Sequence, residues 1–221
     1  MGEPVKLEQL ESSQGETFRQ LYAIYAASIA AREQKREGWI AAMIDAPEYR
    51  VWVAKAGGLV RGFSILFVPP AGGFALLEYM AVAPEQRNHG LGAELFRRTV
   101  ERALPPGKRS LPVLLEVDSD REDASDRALR TRRERFYRRL GCLRIAGLRY
   151  VMPLSGEGAP PEMDLLVYTA APPGHQAQSE LPRSDVQRWL GTIYRDVYHC
   201  APDDPRLAQM MASLPDPVLL D

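Results

Sequence analysis

Residues 77–96 of the chain read LEYMAVAPEQRNHGLGAELF. Leu77 to Val82 is a short apolar run with a tyrosine and a valine, a pattern typical of a buried strand, and Pro84 ends it. From Gly92 onward one set of residues recurs at helical spacing, namely Leu95, Phe96, Thr99, Val100 and Ala103. The stretch therefore predicts a strand, a glycine-containing turn and an amphipathic helix, in that order.

The turn between strand and helix, Arg87 to Gly92, has the composition of an anion site. Its glycines let backbone N–H groups crowd together at the positive end of the helix dipole, an arrangement well suited to phosphate. A Walker loop would need a lysine after the second glycine, and a Rossmann turn would need a further glycine pair before it; neither is present. The sequence therefore predicts a phosphate-binding turn of another type.

Two segments carry a family resemblance. Arg87, Gly90 and Gly92 fill the pattern Gln/Arg-x-x-Gly-x-Gly/Ala, and between a strand and a helix this resembles the acetyl-CoA loop of the GNAT N-acetyltransferases. Residues 136–142, FYRRLGC, resemble the end of a late helix of the same family, with Cys142 where phenylalanine is usual. The strand-length run 112–118 lies between them, in the family's order.

The resemblance implies an α/β fold. We expect a central, mostly antiparallel seven-stranded sheet, splayed between its fourth and fifth strands, with helices on both faces. We expect a GNAT domain over 1–171, followed over 172–221 by a linker and a C-terminal helical extension. Periodicity predicts strands over 5–11, 50–56, 59–68, 143–154 and 163–170, and helices over 17–36, 39–44, 128–140 and 206–213.

The extension carries an apolar stripe that must be buried. We expect it to pack on the domain itself, with burial in a homodimer partner as the alternative. Ser184 and Gln187 have the form of a capping box at the start of its helix. The stripe consists of Val186, Trp189, Leu190, Ile193 and Val197.

The resemblance further implies acetyl-CoA as a co-substrate and no metal. Backbone donors of the turn would bind the diphosphate, and the fourth strand would pair with the pantetheine amides as if they were an added strand. We do not expect His89 to act as a base, because its place in the turn needs a backbone donor. The predicted binding residues are Met80, Ala81, Val82, Arg87, Asn88, His89, Gly90, Leu91, Gly92 and Ala93.

Glu78 is the predicted general base. A lysine-like amine has a reference pKa of about 10.4, so it reaches the enzyme protonated at neutral pH and must lose a proton. A carboxylate in an apolar strand can accept that proton directly or through water. Strict alternation places Glu78 on one face with Met80 and Val82. A structural carboxylate paired with an arginine is the alternative. Glu116 or Asp118 could instead be the base or bind a cationic substrate, although we expect these two to cap the loop that follows their strand.

Tyr137, in the late helix, is the predicted partner of the leaving thiolate. By resemblance it lies near the carrier's sulfur, where its O–H could protonate the thiolate or orient it; a core tyrosine is the alternative. Arg130 and Arg133 share a helix face with Tyr137 and could contact the adenosine phosphates. Arg130 stands where many family members have asparagine. Ion pairs with nearby acidic residues are the alternative for this arginine-rich helix.

Composition limits the classes of function that the chain is expected to have. The chain has 221 residues and a net charge of −1. From this charge we expect no nucleic-acid partner and no membrane partner. Two cysteines make a disulfide framework unexpected and favour the cytoplasm, and an excess of arginine over the four lysines suggests a bacterial source. We expect an N-acetyltransferase that acts on a small-molecule amine or amino acid by direct attack. A non-catalytic CoA-sensing module and a protein lysine or N-terminal acetyltransferase remain the alternatives.

Overall fold

The computed structural model describes residues 3–103, 111–121, 126–153, 162–169 and 178–221. The chain divides into two compact units, Met1–Lys108 (unit 1) and Arg109–Asp221 (unit 2). The domain boundary expected at 171/172 remains a prediction. Residues 170–177, which include most of the expected linker, lie outside the described part of the chain.

Unit 1 contains four antiparallel strands in the order β1-β2-β3-β4. The strands are β1 Lys6–Gln9, β2 Tyr49–Ala56, β3 Leu59–Phe67 and β4 Ala75–Val82. The helices are α1 Glu16–Ser28, α2 Glu37–Asp45 and α3 Leu91–Ala103, with 3-10 turns at Ala31–Glu33 and Pro84–Gln86. Gly57 and Gly58 both have positive φ, as the tight hairpin between β2 and β3 requires.

The two faces of this sheet carry different helices. On one face, α1 and α2 bury Leu21, Tyr25 and Ile40 together with Phe63 and Ile65 of β3. On the other, Leu91 and Leu95 of α3 form a second cluster with Ala54, and Met80 and Val82 of β4 pack against that cluster. The predicted strand, turn and amphipathic helix over 77–96 are therefore confirmed, and α3 presents its apolar face to the sheet.

Unit 2 is built around β8. Strand β5 Val113–Asp118 pairs antiparallel with β8 Glu162–Tyr168, and two short strands, β6 Cys142–Arg144 and β7 Tyr150–Val151, also pair with β8. A separate ribbon joins β9 Glu180–Leu181 to β10 Val218–Leu219. The helices are α4 Arg127–Arg139, α5 Arg183–Thr192 and α6 Pro205–Ala212, with a π-helix at Ile193–Val197.

Three local predictions were wrong. The single strand expected over 143–154 is two strands, β6 and β7, separated by a turn. The helix expected over 17–36 ends at Ser28, because the backbone of Ile29 is extended, and the side chain of Gln34 donates to the carbonyl of Ile29 at 2.7 Å. The capping box at Ser184 is absent: α5 begins at Arg183, whose backbone N–H donates at 3.2 Å to the carboxylate of Asp216, far away in the chain.

The C-terminal extension forms hydrogen bonds with the strands of unit 2. Its predicted apolar stripe, residues 186–197, is buried. The hydroxyl of Tyr194 donates to the carbonyl of Val151 in β7, and the hydroxyl of Tyr198 donates to Glu116 of β5 at 2.6 Å. Among the described residues, no helix combines the length and hydropathy needed to cross a membrane.

Candidate active site

The turn that precedes α3 contains two left-handed residues, a feature found in anion-binding backbone concavities. Asn88 has φ +67° and Gly90 has φ +84°, and α3 begins at the next residue, Leu91. Left-handed residues that alternate with right-handed ones turn successive N–H groups toward one side of the chain. The first turn of α3 adds N–H groups that have no partner inside the helix, together with the positive end of the helix dipole.

Some backbone N–H groups of this turn already donate to carbonyls of the protein. The N–H of Arg87 donates to the carbonyl of Pro84 at 3.3 Å, and the N–H of Ala93 donates to the carbonyl of Gly90 at 3.1 Å. These two donors are already engaged. The diphosphate-binding role predicted for residues 87–93 remains a prediction, to which the N–H groups of Arg87 and Ala93 would contribute only by giving up these bonds.

The side chain of Arg87 lies across the end of β4. Its Nε donates to the carbonyl of Val82 at 3.3 Å, and its Nη2 donates to the hydroxyl of Ser28 at 3.2 Å. These contacts link β4 to the end of α1 and hold the turn in place. His89 is exposed. The contacts predicted for Met80, Ala81 and Val82 with the carrier remain predictions.

Glu78 is the extra residue of a β-bulge. Ile65 of β3 pairs with Tyr79, but the next residue, Leu66, pairs with Leu77, so Glu78 has no partner opposite it. A bulge places two consecutive side chains on nearly the same side of a strand. Glu78 and Tyr79 accordingly both face α1. The expectation that Glu78 shares a face with Met80 and Val82 is wrong, because the alternation slips by one residue at the bulge.

The carboxylate of Glu78 is buried and holds an ammonium group. Its side chain is 3% exposed, and Oε1 accepts a short hydrogen bond from Nζ of Lys35, whose side chain is 19% exposed. Among the described residues Oε2 has no hydrogen-bond partner. The alternative of a carboxylate paired with a cation is thus realised in part, with lysine in place of arginine.

Tyrosines surround this ion pair. The backbone N–H of Lys35 donates to the hydroxyl of Tyr25 at 2.6 Å, and the ring of Tyr25 meets the ring of Tyr79 edge to face at 5.1 Å. Burial raises the pKa of Tyr25, and the negative charge of Glu78 adds to that rise. The sequence analysis did not single out Lys35, which lies 43 residues before Glu78 in a segment without a motif.

Tyr137 belongs to unit 2, near the C-terminal end of α4. Its ring packs edge to face on that of Phe136, with centroids 5.1 Å apart. Burial of the phenol raises its pKa to about 12, against a smaller opposing effect of the Arg133 guanidinium. The group is therefore protonated throughout the physiological range. Its predicted part in the reaction remains a prediction.

Arg130 and Arg133 are held by acceptors of their own unit. Arg130 is 5% exposed; its Nε donates to Asp126 at 2.9 Å and its Nη1 donates to the carbonyl of Ser119 at 3.2 Å. Nη1 of Arg133 donates to Asp118 at 2.6 Å. A phosphate would have to compete with these bonds. The geometry favours ion pairing within the protein, and the predicted contact with the adenosine phosphates remains a prediction.

Glu116, the alternative base, is the acceptor of two phenols. The hydroxyl of Tyr150 donates to Oε1, and that of Tyr198 donates to Oε2 at 2.6 Å. Burial first, and the charge of Glu116 second, raise the pKa of Tyr150 well above its ordinary value, so this donor stays protonated. Glu116 thus ties β5 to the C-terminal extension. Within the described residues, no group of three or more His, Cys, Asp or Glu side chains could hold a metal ion.

Comparison with known proteins identifies the scaffold. The sequence profile described as "Acetyltransferase (GNAT) family" matches residues 14–142. A search of curated proteins gives no significant match. Among solved structures, a GNAT-family protein from Bacteroides thetaiotaomicron superimposes with a TM-score of 0.69 at 20% identity, covering 89% of this chain and 99% of its own.

Two further neighbours were solved with the carrier. An aminoglycoside 6'-N-acetyltransferase complexed with coenzyme A has a TM-score of 0.58 at 13% identity, covering 77% of this chain and 99% of its own. A Salmonella typhimurium protein solved with its cofactor acetyl-CoA has a TM-score of 0.54 at 16% identity, covering 78% and 99%. At these identities the likeness concerns the fold.

Proposed function

The chain belongs to the acetyltransferase (GNAT) family, and we propose that it is an acetyl-CoA-dependent N-acetyltransferase that acts on a small-molecule amine or amino acid. In the proposed reaction the amine attacks the thioester carbonyl directly, without an acyl-enzyme intermediate. A net charge of −1 gives no field for nucleic acid, which supports a small acceptor. We further propose that the protein acts in the cytoplasm and that it forms a homodimer.

The observation that carries the proposal is the buried carboxylate of Glu78 with an ammonium group bound to it. The acceptor of an N-acetyltransferase is itself an amine that must bind and lose a proton. Glu78 already binds that functional group, in the form of Lys35, and its Oε2 remains without a hydrogen-bond partner among the described residues. A carboxylate so placed can take a proton from an amine or from an intervening water.

The donor half of the proposal rests on the turn before α3. The left-handed backbone at Asn88 and Gly90 and the start of α3 at Leu91 together suit a diphosphate. Two neighbours of the same fold were solved with coenzyme A or acetyl-CoA, which supports the choice of donor. We propose that the carrier's amides lie along Met80–Val82 in the manner of an added strand.

For Tyr137 we propose hydrogen-bond donation to the thiolate in preference to complete proton transfer. The pKa of Tyr137 is raised to about 12, whereas an ordinary thiol has a pKa of about 8.5. Full transfer from the phenol to the thiolate would therefore be uphill by roughly 5 kcal/mol, at about 1.4 kcal/mol for each pKa unit. A hydrogen bond from a phenol that remains protonated stabilises the leaving group without that cost.

One observation favours a non-catalytic CoA-sensing module as a second candidate. Lys35 occupies one oxygen of the proposed base, and an acceptor must bind beside it or displace it. If an acceptor can neither displace the lysine nor bind beside it, the carrier would bind without being consumed. A protein lysine or N-terminal acetyltransferase differs from the first proposal only in its acceptor.

A thiol-release assay across a panel of amines and amino acids, run beside calorimetric titration with acetyl-CoA, separates these candidates. We expect turnover on at least one amine, lowered by about 10²–10⁴-fold in Glu78→Gln, the range that a positioned base contributes. Glu8→Gln is the matched control, because Glu8 pairs with Lys55 on the surface, and it should leave turnover unchanged. Tight binding of acetyl-CoA without turnover on any amine or peptide would establish the sensor instead.

A further inference from the structure

The side chain bound to Glu78 is chemically an acceptor. Lys35 has a primary amine, which is the group that the proposed reaction acetylates, and its Nζ donates to Oε1 of the proposed base. An external amine would have to reach this position by diffusion and pay for its own immobilisation. Lys35 is already in place, because it is part of the chain.

The backbone around Lys35 is fixed by specific bonds. The side-chain amide of Gln34 donates to the carbonyls of Ala26 at 3.0 Å and Ile29 at 2.7 Å, at the C-terminal end of α1. The N–H of Lys35 itself donates to the hydroxyl of Tyr25 at 2.6 Å. The segment is thus attached to α1 at two successive residues, and the lysine side chain is directed at the bulge in β4.

From this geometry we propose that Lys35 is a site of self-acetylation: the chain transfers an acetyl group from bound acetyl-CoA to Nζ of its own Lys35. This inference rests on the proposed transferase function and names one acceptor of that same site. The nearest base is Glu78, 3% exposed, and its only described cationic partner is the lysine that would react.

The ammonium of Lys35 gives one proton to the carboxylate of Glu78, and the neutral nitrogen then attacks the thioester carbonyl. The N–C bond forms and the C–S bond breaks, so the products are an amide on Lys35 and the carrier thiol. Of the two protons that the nitrogen loses, one ends on the thiol and the other passes from Glu78 to solvent. No oxidant, reductant or metal is required.

Acetylation would change the charge at the site. The amide is neutral, so the ion pair with Glu78 is lost, and a buried carboxylate remains without its cation. The amide nitrogen is no longer a nucleophile, so the reaction at Lys35 occurs once for each chain. Self-acetylation would therefore change the electrostatic state of the proposed base for as long as the acetyl group stays on Lys35.

The chain contains a matched control for this chemistry. Lys55 also pairs with a glutamate, Glu8, at 3.5 Å, and its side chain is 26% exposed against 19% for Lys35. The difference lies in the carboxylates, because Glu8 is 51% exposed and Glu78 is 3% exposed. Uncatalysed acetylation by free acetyl-CoA follows exposure and would favour Lys55. Catalysed acetylation would favour Lys35.

The experiment incubates the full chain with acetyl-CoA in the absence of any amine. Site-resolved mass spectrometry follows acetylation at Lys6, Lys35 and Lys55 with time, at several protein concentrations. We expect Lys35 to react at least about 100-fold faster than Lys55, the lower end of what a positioned base contributes. The rate for each chain should not depend on protein concentration, and Glu78→Gln should abolish the excess while Glu8→Gln should not.

A smaller ratio, or an excess that persists in Glu78→Gln, overturns the inference, and so does a rate that rises with protein concentration. The wild type is assayed on the amine panel by thiol release, and Lys35→Arg, which keeps the charge but removes the acceptor, should lose the modification at residue 35 in the mass spectra. Turnover by the wild type with its Lys35 unmodified overturns self-acetylation alone. No turnover by the wild type and no modified Lys35, in a protein that binds acetyl-CoA by calorimetry, overturns the proposed function as well.

Discussion

Replacing Lys35 by methionine tests the energetics of the Lys35–Glu78 pair. The substitution keeps an unbranched side chain of similar length and removes the charge, which leaves Glu78 buried without its cation. Breaking a buried pair on one side typically costs about 3–5 kcal/mol. Because Lys35 is 19% exposed and water can reach it, we expect the lower end, about 3 kcal/mol at pH 7.

For a chain of this size, about 3 kcal/mol corresponds to a fall of roughly 6–12 °C in the midpoint of thermal unfolding. Lys55→Met is the control, since the exposed Lys55–Glu8 pair should contribute at most about 1 kcal/mol. The double variant Lys35→Met/Glu78→Met replaces both charges by apolar groups and should recover most of the loss. Two results would refute the reasoning: a loss in Lys35→Met no larger than in Lys55→Met, or a double variant as unstable as the single one.

Two further predictions concern the leaving group and the turn. Tyr137→Phe should lower turnover while acetyl-CoA binding by calorimetry stays the same; because the pKa of Tyr137 is raised to about 12, the wild-type rate profile should show no descending limb from this phenol below about pH 10. Unchanged turnover would remove Tyr137 from the mechanism. Gly90→Ala forces a side chain into a backbone with φ +84°, at a cost of about 1–2 kcal/mol. The free turn can relieve this strain by leaving the left-handed conformation, which binding would have to restore, so acetyl-CoA binding should weaken by roughly 5–30-fold. Gly38→Ala, in an α2 position with open space, is its control, and an equal effect of both variants on binding would contradict the role of the turn.

The elements that could be predicted from the sequence are those whose signal is local. The strand, turn and helix over 77–96 were found because apolar periodicity and a glycine pattern lie in one short stretch. The start of α5 was missed because the N–H of its first residue, Arg183, is bound by Asp216, a residue far away in the chain. Beyond the end of α1, the carbonyl of Ile29 is likewise bound from outside the helix, by the side chain of Gln34.

The environment of Glu78 could not be predicted, for a related reason. Strict alternation would place Glu78 on the face where Met80 and Val82 pack against Leu91 and Leu95 of α3. A carboxylate among those apolar side chains would be buried without a cation, at a cost of several kcal/mol.

One extra residue in β4 resolves that conflict. The bulge turns Glu78 to the other face of the sheet, where Lys35 supplies the cation and Tyr25 fixes the backbone of Lys35. No feature of the sequence of residues 77–82 indicates the bulge, because the bulge depends on the register that β3 and β4 adopt together. Glu78 stays the candidate base, and its environment depends on Lys35 as well as on β4. In the proposed reaction, an external amine can use Glu78 only by binding at Oε2 or by displacing Lys35 from Oε1, so the proposal concerns Lys35 as much as Glu78.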